Sequence, residues 1–272
     1  MPTLTVPNAN LNYETTGSGP ALLCIPGANG EHNIFRGLAA ALAEHFTVVT
    51  YDRRGFSESL LTGPQHYAQR LQTDADDAAA LLREVGGGQP GFVFGSSSGA
   101  IVSLQLLLSH PEQIRALVAH EPPTLQELPD AEEEIRFHAG IYDLYRAEGL
   151  VAAQVKFASK LGPVDRAAMS HSGGSRGPFG QANATYWFER ELPVYPLTHF
   201  DADALKKVSD KLIMGAGTES DNSFAFQCAH LWGQKLGVPV VSLTGGHVGY
   251  AMHPAEFARD LLAAFQSHQP KE

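Results

Sequence analysis

The chain has 272 residues, 43% of them hydrophobic and 18% charged, which suits one large α/β domain with a single buried core. A formal net charge of -10 argues against nucleic acid or an anionic membrane as the natural partner. No apolar run approaches the ~18 residues of a membrane-spanning helix, and residues 1–7 lack the basic-then-apolar pattern of a signal peptide.

In chain order, residues 3–6 and 10–14 alternate in polarity around Pro7-Asn8-Ala9 and predict a hairpin. Residues 21–25 are continuously apolar, as a strand buried on both faces should be, and stop at Pro26-Gly27-Ala28-Asn29-Gly30. Helical spacing follows through Ile34, Phe35, Leu38 and Leu42. Residues 46–51 predict the next strand, closed by Asp52-Arg53-Arg54-Gly55-Phe56-Ser57. A long helix over 67–85 carries Leu71, Ala75, Ala78, Leu81 and Leu82 on one face and ends at Gly86-Gly87-Gly88-Gln89-Pro90. Residues 91–94 form an apolar run, and a second apolar helix reaches His110-Pro111. Residues 114–119 predict another strand, broken by Pro122-Pro123.

From 124 to 204 the rhythm changes to helices, near 130–146 and 150–161, with a loop at 173–178 and an aromatic cluster at Tyr186-Trp187-Phe188. Strands resume at 211–215 and 238–243, with helices near 222–236 and 254–266 and a frayed tail at 269–272. Strands alternating with helices imply a mostly parallel sheet covered by helices on both faces. Residues 1–123 and 205–272 are expected to form this core. The block 124–204 is expected to be a helical lid inserted over the carboxyl edge, where open α/β sheets bind ligands. Cys24 and Cys228 are expected to be buried free thiols, compatible with a reducing cytoplasm.

Chemistry concentrates at Gly95-Ser96-Ser97-Ser98-Gly99, between the strand at 91–94 and the following helix. Gly-x-Ser-x-Gly in that context is a nucleophile elbow: the middle residue, Ser97, sits in a strained turn with its hydroxyl exposed. A serine needs a base to take its proton. Among 12 histidines, His247 in Thr244-Gly245-Gly246-His247-Val248-Gly249 directly follows the last strand, where a glycine-flanked loop can bring it over Ser97. His253, before Pro254, reads as a helix cap. The acid that orients the imidazole has two candidates. Glu121, in His120-Glu121-Pro122-Pro123, comes off the strand at 114–119 on a turn stiffened by proline, and is favoured. Asp221 would need a longer loop after the strand at 211–215, and the position three after Gly215 is Thr218.

The oxyanion hole requires two amides aimed at one point; Ser98 and Ala28 are assigned, with Gly27 expected to give the backbone freedom to turn inward. Asn29, Trp187 and Tyr186 are expected substrate contacts, the aromatics alternatively packing within the lid. No Cys-x-x-Cys, His-Glu-x-x-His or phosphate-binding Gly-Lys-Ser/Thr pattern occurs, so no metal and no cofactor is expected. The expected partner is a small-molecule substrate; a homodimer is compatible with the sequence.

Pro26-Gly27-Ala28, Tyr51-Asp52-Arg53-Arg54-Gly55-Phe56-Ser57-Glu58-Ser59, the elbow and Gly246-His247 together resemble the α/β-hydrolase superfamily, in family order over nearly the whole chain. Two departures stand out: Pro26-Gly27 replaces the usual His-Gly, and Ser57 replaces the second glycine of Asp-x-Arg-Gly-x-Gly. Serine at the elbow counts against the dehalogenase and epoxide-hydrolase branches, which carry aspartate there. The Ser-Ser-Gly ending of the elbow and His120-Glu121-Pro122 are similar to the fungal zearalenone lactonases, whose acid lies after this same strand. The resemblance implies an α/β-hydrolase fold and a serine esterase or lactonase acting on an apolar small molecule. Hydrolysis of a carbon–carbon bond next to a ketone on the same triad, and a low-turnover ligand receptor, are the alternatives.

Overall fold

The computed structural model of the chain describes residues 2–28, 30–172, 177–220 and 222–268. The alternating N-terminal segments pair as an antiparallel hairpin, β1 (Thr3–Val6) and β2 (Ala9–Thr16), with Val6 opposite Ala9. The apolar runs become β3 (Ala21–Ile25) and β4 (Thr47–Tyr51), joined through α1 (Arg36–Leu42). A two-residue strand, β5 (Leu60–Leu61), caps β2 at the sheet margin. Next come α2 (Arg70–Val85), β6 (Gly91–Ser96), α3 (Ser98–Ser109) and β7 (Ile114–His120).

Between β7 and the next strand the described residues form five α-helices: α4 (Ala131–Glu148), α5 (Leu150–Ala158), α6 (Pro163–Ser172), α7 (Gly180–Arg190) and α8 (Ala202–Lys206). No strand occurs there among the described residues, as expected. The expected helix at 150–161 is shorter, and α6 begins at Pro163, whose fixed φ suits a first helical turn. The loop expected at 173–178 and the tail at 269–272 lie largely or wholly outside the described residues. The core resumes with β8 (Leu212–Gly217), α9 (Phe224–Leu236), β9 (Val240–Leu243), a single turn α10 (Gly249–Met252) and α11 (Pro254–Ser267).

Strand order is β1-β2-β4-β3-β6-β7-β8-β9, antiparallel through β2/β4 and parallel from β4 to β9. Period-2 alternation divides each central strand between two cores. Leu23, Val93 and Leu117 face α2, α3 and α9 through Leu82, Leu104 and Trp232, whereas Leu22, Phe94 and Val118 face α1 and α11 through Leu38, Phe257 and Leu261. The sheet is thus covered on both faces, which is why its central strands read as unbroken apolar runs. Cys24 and Cys228 are both buried and free. No helix among the described residues is long and apolar enough to cross a membrane.

Candidate active site

β6 stops at Ser96 and α3 starts at Ser98, leaving Ser97 alone in the turn with φ 57° and ψ -122°. A non-glycine residue reaches that region only when its surroundings hold it there. Here the Ser97 amide donates to the His120 carbonyl at 3.0 Å, and the Ser97 carbonyl accepts from Ala100 at 2.9 Å. The crossing of α3 over β3 is equally tight: a Cβ at Gly99 would overlap the Ile25 carbonyl. Gly99→Ala is therefore expected to destabilise the fold by about 3 kcal/mol or more, read as a lower urea midpoint.

Glu121 is the second strained position, at φ 49°. It directly follows β7, its amide donates to Gly215 of β8 at 3.0 Å, and its side chain is fully buried. One carboxylate oxygen accepts from the Gly217 amide at 2.7 Å and the other meets His247 Nδ1 at 2.6 Å. Burial pushes this carboxyl up, but the charge of His120, when protonated, and the bond and charge of His247 pull it below the usual carboxylate range. His120, itself driven to about 4 by burial, is uncharged near pH 7, so there the bond and charge of His247 hold Glu121 low, with the Gly217 amide a further donor to its carboxylate. With Nδ1–H given to Glu121, the tautomer leaves Nε2 of His247 free to accept a proton.

The His247 loop is braced from two sides. Thr218, at the position where a carboxylate could have come, accepts from the Gly245 amide through Oγ1 at 3.1 Å. Asp165 of α6, buried, accepts from the His247 amide at 2.6 Å. Burial lowers the pKa of His247, but the bond and charge of Glu121 and the charge of Asp165 raise it above its ordinary 6.5.

The loop after β3 brings Gly27 and Ala28 to the elbow. A Cβ on Gly27 would sit 3.0 Å from Ser97 Cβ. Proximity to the serine, rather than a left-handed φ, is what demands glycine there. Ser57, in place of the family's second glycine, keeps a glycine-like φ of 46° and is clamped by Asn183 of α7, which accepts from its amide and donates to its hydroxyl, both at 2.8 Å.

Ser97, His247, Ala28 and Ser98 line one cavity of about 160 Å³. Much of its lining is apolar and comes from the helical insertion, through Phe157, Leu161, Trp187 and Phe188, with Ile34 and Phe224 from the core. Trp187, expected as a substrate contact, lines this cavity. Tyr186, the other aromatic expected there, does not line it: its ring packs edge-on against Phe56 at 5.1 Å and its hydroxyl meets Arg70. Successive helical residues point about 100° apart, and α7 turns Trp187 and Phe188 toward the cavity while Tyr186 falls on the side facing Phe56 and Arg70. Asn29 and Asp221 lie outside the described residues.

Three features escaped sequence reading: Asp165 beside the His247 loop, His138 in the cavity wall, and the buried Glu191 just after α7. His138 donates Nδ1–H to the Glu134 carbonyl at 2.9 Å, and burial lowers its pKa, so it presents a neutral imidazole to the cavity. Glu191 meets Arg53 and Arg70. None of the three carries a local motif; each is defined by a partner more than 80 residues away or by a wall that only the fold assembles.

The family model for the alpha/beta hydrolase fold matches residues 20–166. YraK, an uncharacterized hydrolase of Bacillus subtilis, is 35% identical over 98% of this chain and 97% of its own length. A zearalenone hydrolase of Bionectria ochroleuca is 26% identical over 98% of both chains. Among solved structures, the enol-lactonase of Burkholderia xenovorans superposes with a TM-score of 0.73 at 15% identity, covering 98% of this chain and 100% of that one. An esterase of Thermogutta terrifontis superposes with a TM-score of 0.71 at 17% identity, over 98% and 97% of the two chains.

Proposed function

The chain belongs to the α/β-hydrolase fold family, and on that footing we propose that it is a serine hydrolase cleaving a carboxylic ester or lactone of an apolar small molecule. One observation carries the proposal: Glu121 holds His247 Nδ1 at 2.6 Å while the imidazole and the strained Ser97 face a shared cavity. His247 Nε2 takes the Ser97 proton as Oγ bonds to the substrate carbonyl carbon, and the carbonyl electron pair moves onto oxygen. The amides of Ala28 and Ser98 receive that oxyanion, each such donor being worth about 10²–10³ in rate. Collapse expels the alkoxide, which His247 protonates. A water deprotonated by His247 then attacks the acyl-serine, releasing the acid and Ser97. In a lactone the alcohol remains tethered to the acyl group, so ring opening yields one hydroxy acid.

Support for an apolar substrate comes from the aromatic and aliphatic lining, and for a lactone from the relatives named zearalenone hydrolase. The helical insertion supplies much of that lining and so serves as the lid. A panel of p-nitrophenyl esters and medium-to-large lactones, followed by product mass, tests this: turnover with addition of one water is expected. No turnover, together with a ligand-induced rise in Tm, would contradict it and favour a receptor.

The base must be neutral to act, and His247 is shifted upward. Activity is thus expected to fall as pH drops, with the acid limb of kcat/KM centred above 6.5. Asp165→Asn removes one of the raising charges, so the limb should move to lower pH; a pH–rate profile showing an unmoved limb would count against that electrostatic role.

A further inference from the structure

Arg53 lies beneath the oxyanion loop and is only 1% exposed. Its Nε donates to the Pro26 carbonyl at 2.9 Å and its Nη2 to the Gly27 carbonyl at 2.7 Å. The outer edge of the same guanidinium grips Glu191 in a fork, Nη1 to Oε1 at 2.7 Å and Nη2 to Oε2 at 2.8 Å. Nη1 also reaches Asp74 Oδ2 at 3.1 Å, and Arg70 adds a bond to Glu191 at 3.1 Å. One buried cation therefore touches the oxyanion loop on one side and the helical insertion on the other.

The Gly27 carbonyl and the Ala28 N–H belong to a single peptide plane. In a trans peptide these two groups point in opposite directions. Holding Gly27 O against Arg53, with a second bond from the Gly30 amide at 2.9 Å, turns the Ala28 N–H away from Arg53. Ala28 lines the cavity. Were the plane to flip, a carbonyl dipole would meet the developing oxyanion, and the hole would repel the charge it must hold.

We propose that Arg53 and Glu191 form a positioning pair that keeps the Gly27–Ala28 peptide in its donating orientation, and that the hole is held in this way only while Glu191 of the insertion is docked. The assignment rests on the serine-hydrolase function proposed above. The neighbouring Arg54 supplies an internal control. It makes an equally buried fork with Asp77, Nε to Oδ2 at 2.7 Å and Nη2 to Oδ1 at 2.6 Å. It also donates to the Pro7 carbonyl and to Gln65 Oε1, and neither residue lines the cavity that holds Ser97.

The test compares Glu191→Gln, Arg53→Lys and Asp77→Asn with the native chain. The readouts are kcat and KM on a p-nitrophenyl ester, inhibition by phenylboronic acid (a tetrahedral oxyanion mimic) and Tm, with activities read well below each Tm. Glu191→Gln is expected to lower kcat by about tenfold or more with KM within about threefold, and to weaken boronate inhibition in parallel. Arg53→Lys keeps the charge but cannot span two carbonyls and a carboxylate, so it should show the same split. Asp77→Asn should lower Tm comparably while keeping kcat within about threefold. Glu191→Gln or Arg53→Lys with native kcat and a lowered Tm would make the pair purely structural and overturn the proposal. Equal kcat losses in Asp77→Asn would overturn it too, as general softening. A native chain that neither hydrolyses the ester nor binds the boronate would instead overturn the parent function, and the pair's role with it.

Discussion

Replacing Ser97 with alanine is expected to lower kcat on an activated ester by roughly 10⁶-fold, the scale on which a nucleophile's removal silences the whole unit. The residual rate would come from the oxyanion donors and from substrate positioning. Stability should change little, because the Ser97 contacts fixing the elbow are made by its backbone: its amide to His120 and its carbonyl to Ala100. A modest gain or loss of Tm with abolished turnover therefore separates chemistry from folding. Retained turnover in a folded Ser97→Ala chain would move the nucleophile elsewhere, and the adjacent Ser96 and Ser98 are poor heirs. Ser96 is buried at the end of β6, with its hydroxyl 3.5 Å from His120 Nδ1, and Ser98 opens α3.

Glu121→Gln is expected to cost roughly 10³–10⁴ in kcat, the scale of losing the correct imidazole tautomer. The amide is nearly isosteric, so one oxygen can still accept from Gly217, and cavity formation is minimal. What disappears is the charge that favours Nδ1–H and stabilises the imidazolium formed when Ser97 is deprotonated. Removing it should also bring the acid limb of kcat/KM down, since the Glu121 bond and charge are the main influences raising His247. Stopped-flow or steady-state profiles between pH 5 and 9 would read both effects. A Glu121→Gln chain with native kcat would return the orienting role to another carboxylate, with Asp221 the first to test.

The sheet and the elbow were legible because each is written in short-range pattern. Residues 21–25, 46–51, 91–94 and 114–119 are apolar without interruption, and Gly95 and Gly99 bracket one serine with a strand before and a helix after. Glu121 was legible for a related reason: a carboxylate leaving a strand at the sheet's carboxyl edge on a proline-stiffened turn has little choice of direction. His247 was fixed by its place after the last strand and between glycines.

The insertion was less legible, and the physics of its contacts explains this. Its helices dock through pairs remote in sequence: Glu191 to Arg53, Asn183 to Ser57, Tyr195 to Asp74 and Asp165 to the His247 amide. Such pairs leave no periodic trace, and isolated polar residues on a helix of the insertion read as solvated surface. Tyr186 shows the same limit in reverse, since an aromatic cluster does not reveal which ring turns inward; the helix phase decides, and it turns Trp187 and Phe188 to the cavity. The departures from the family pattern also resolve structurally. Ser57 does what glycine would, at φ 46°, with Asn183 holding it.

These polar contacts tie the insertion to the proposed active site in two places, at the loop of His247 through Asp165 and beneath the loop after β3 through Arg53 and Glu191. The Glu191 contacts are desolvated charge pairs, and breaking one partner of such a pair typically costs about 3–5 kcal/mol. The insertion is thereby joined by bonds to the loops that carry the proposed catalytic residues.

The most direct measurement is intact mass after exposure of the native chain and Ser97→Ala to a fluorophosphonate. A single stoichiometric adduct on the native chain, absent from Ser97→Ala, is the predicted result, because only an activated serine displaces fluoride at a useful rate. A folded native chain that stays unlabelled, or one labelled equally after Ser97→Ala, would contradict the assignment of Ser97 as the nucleophile.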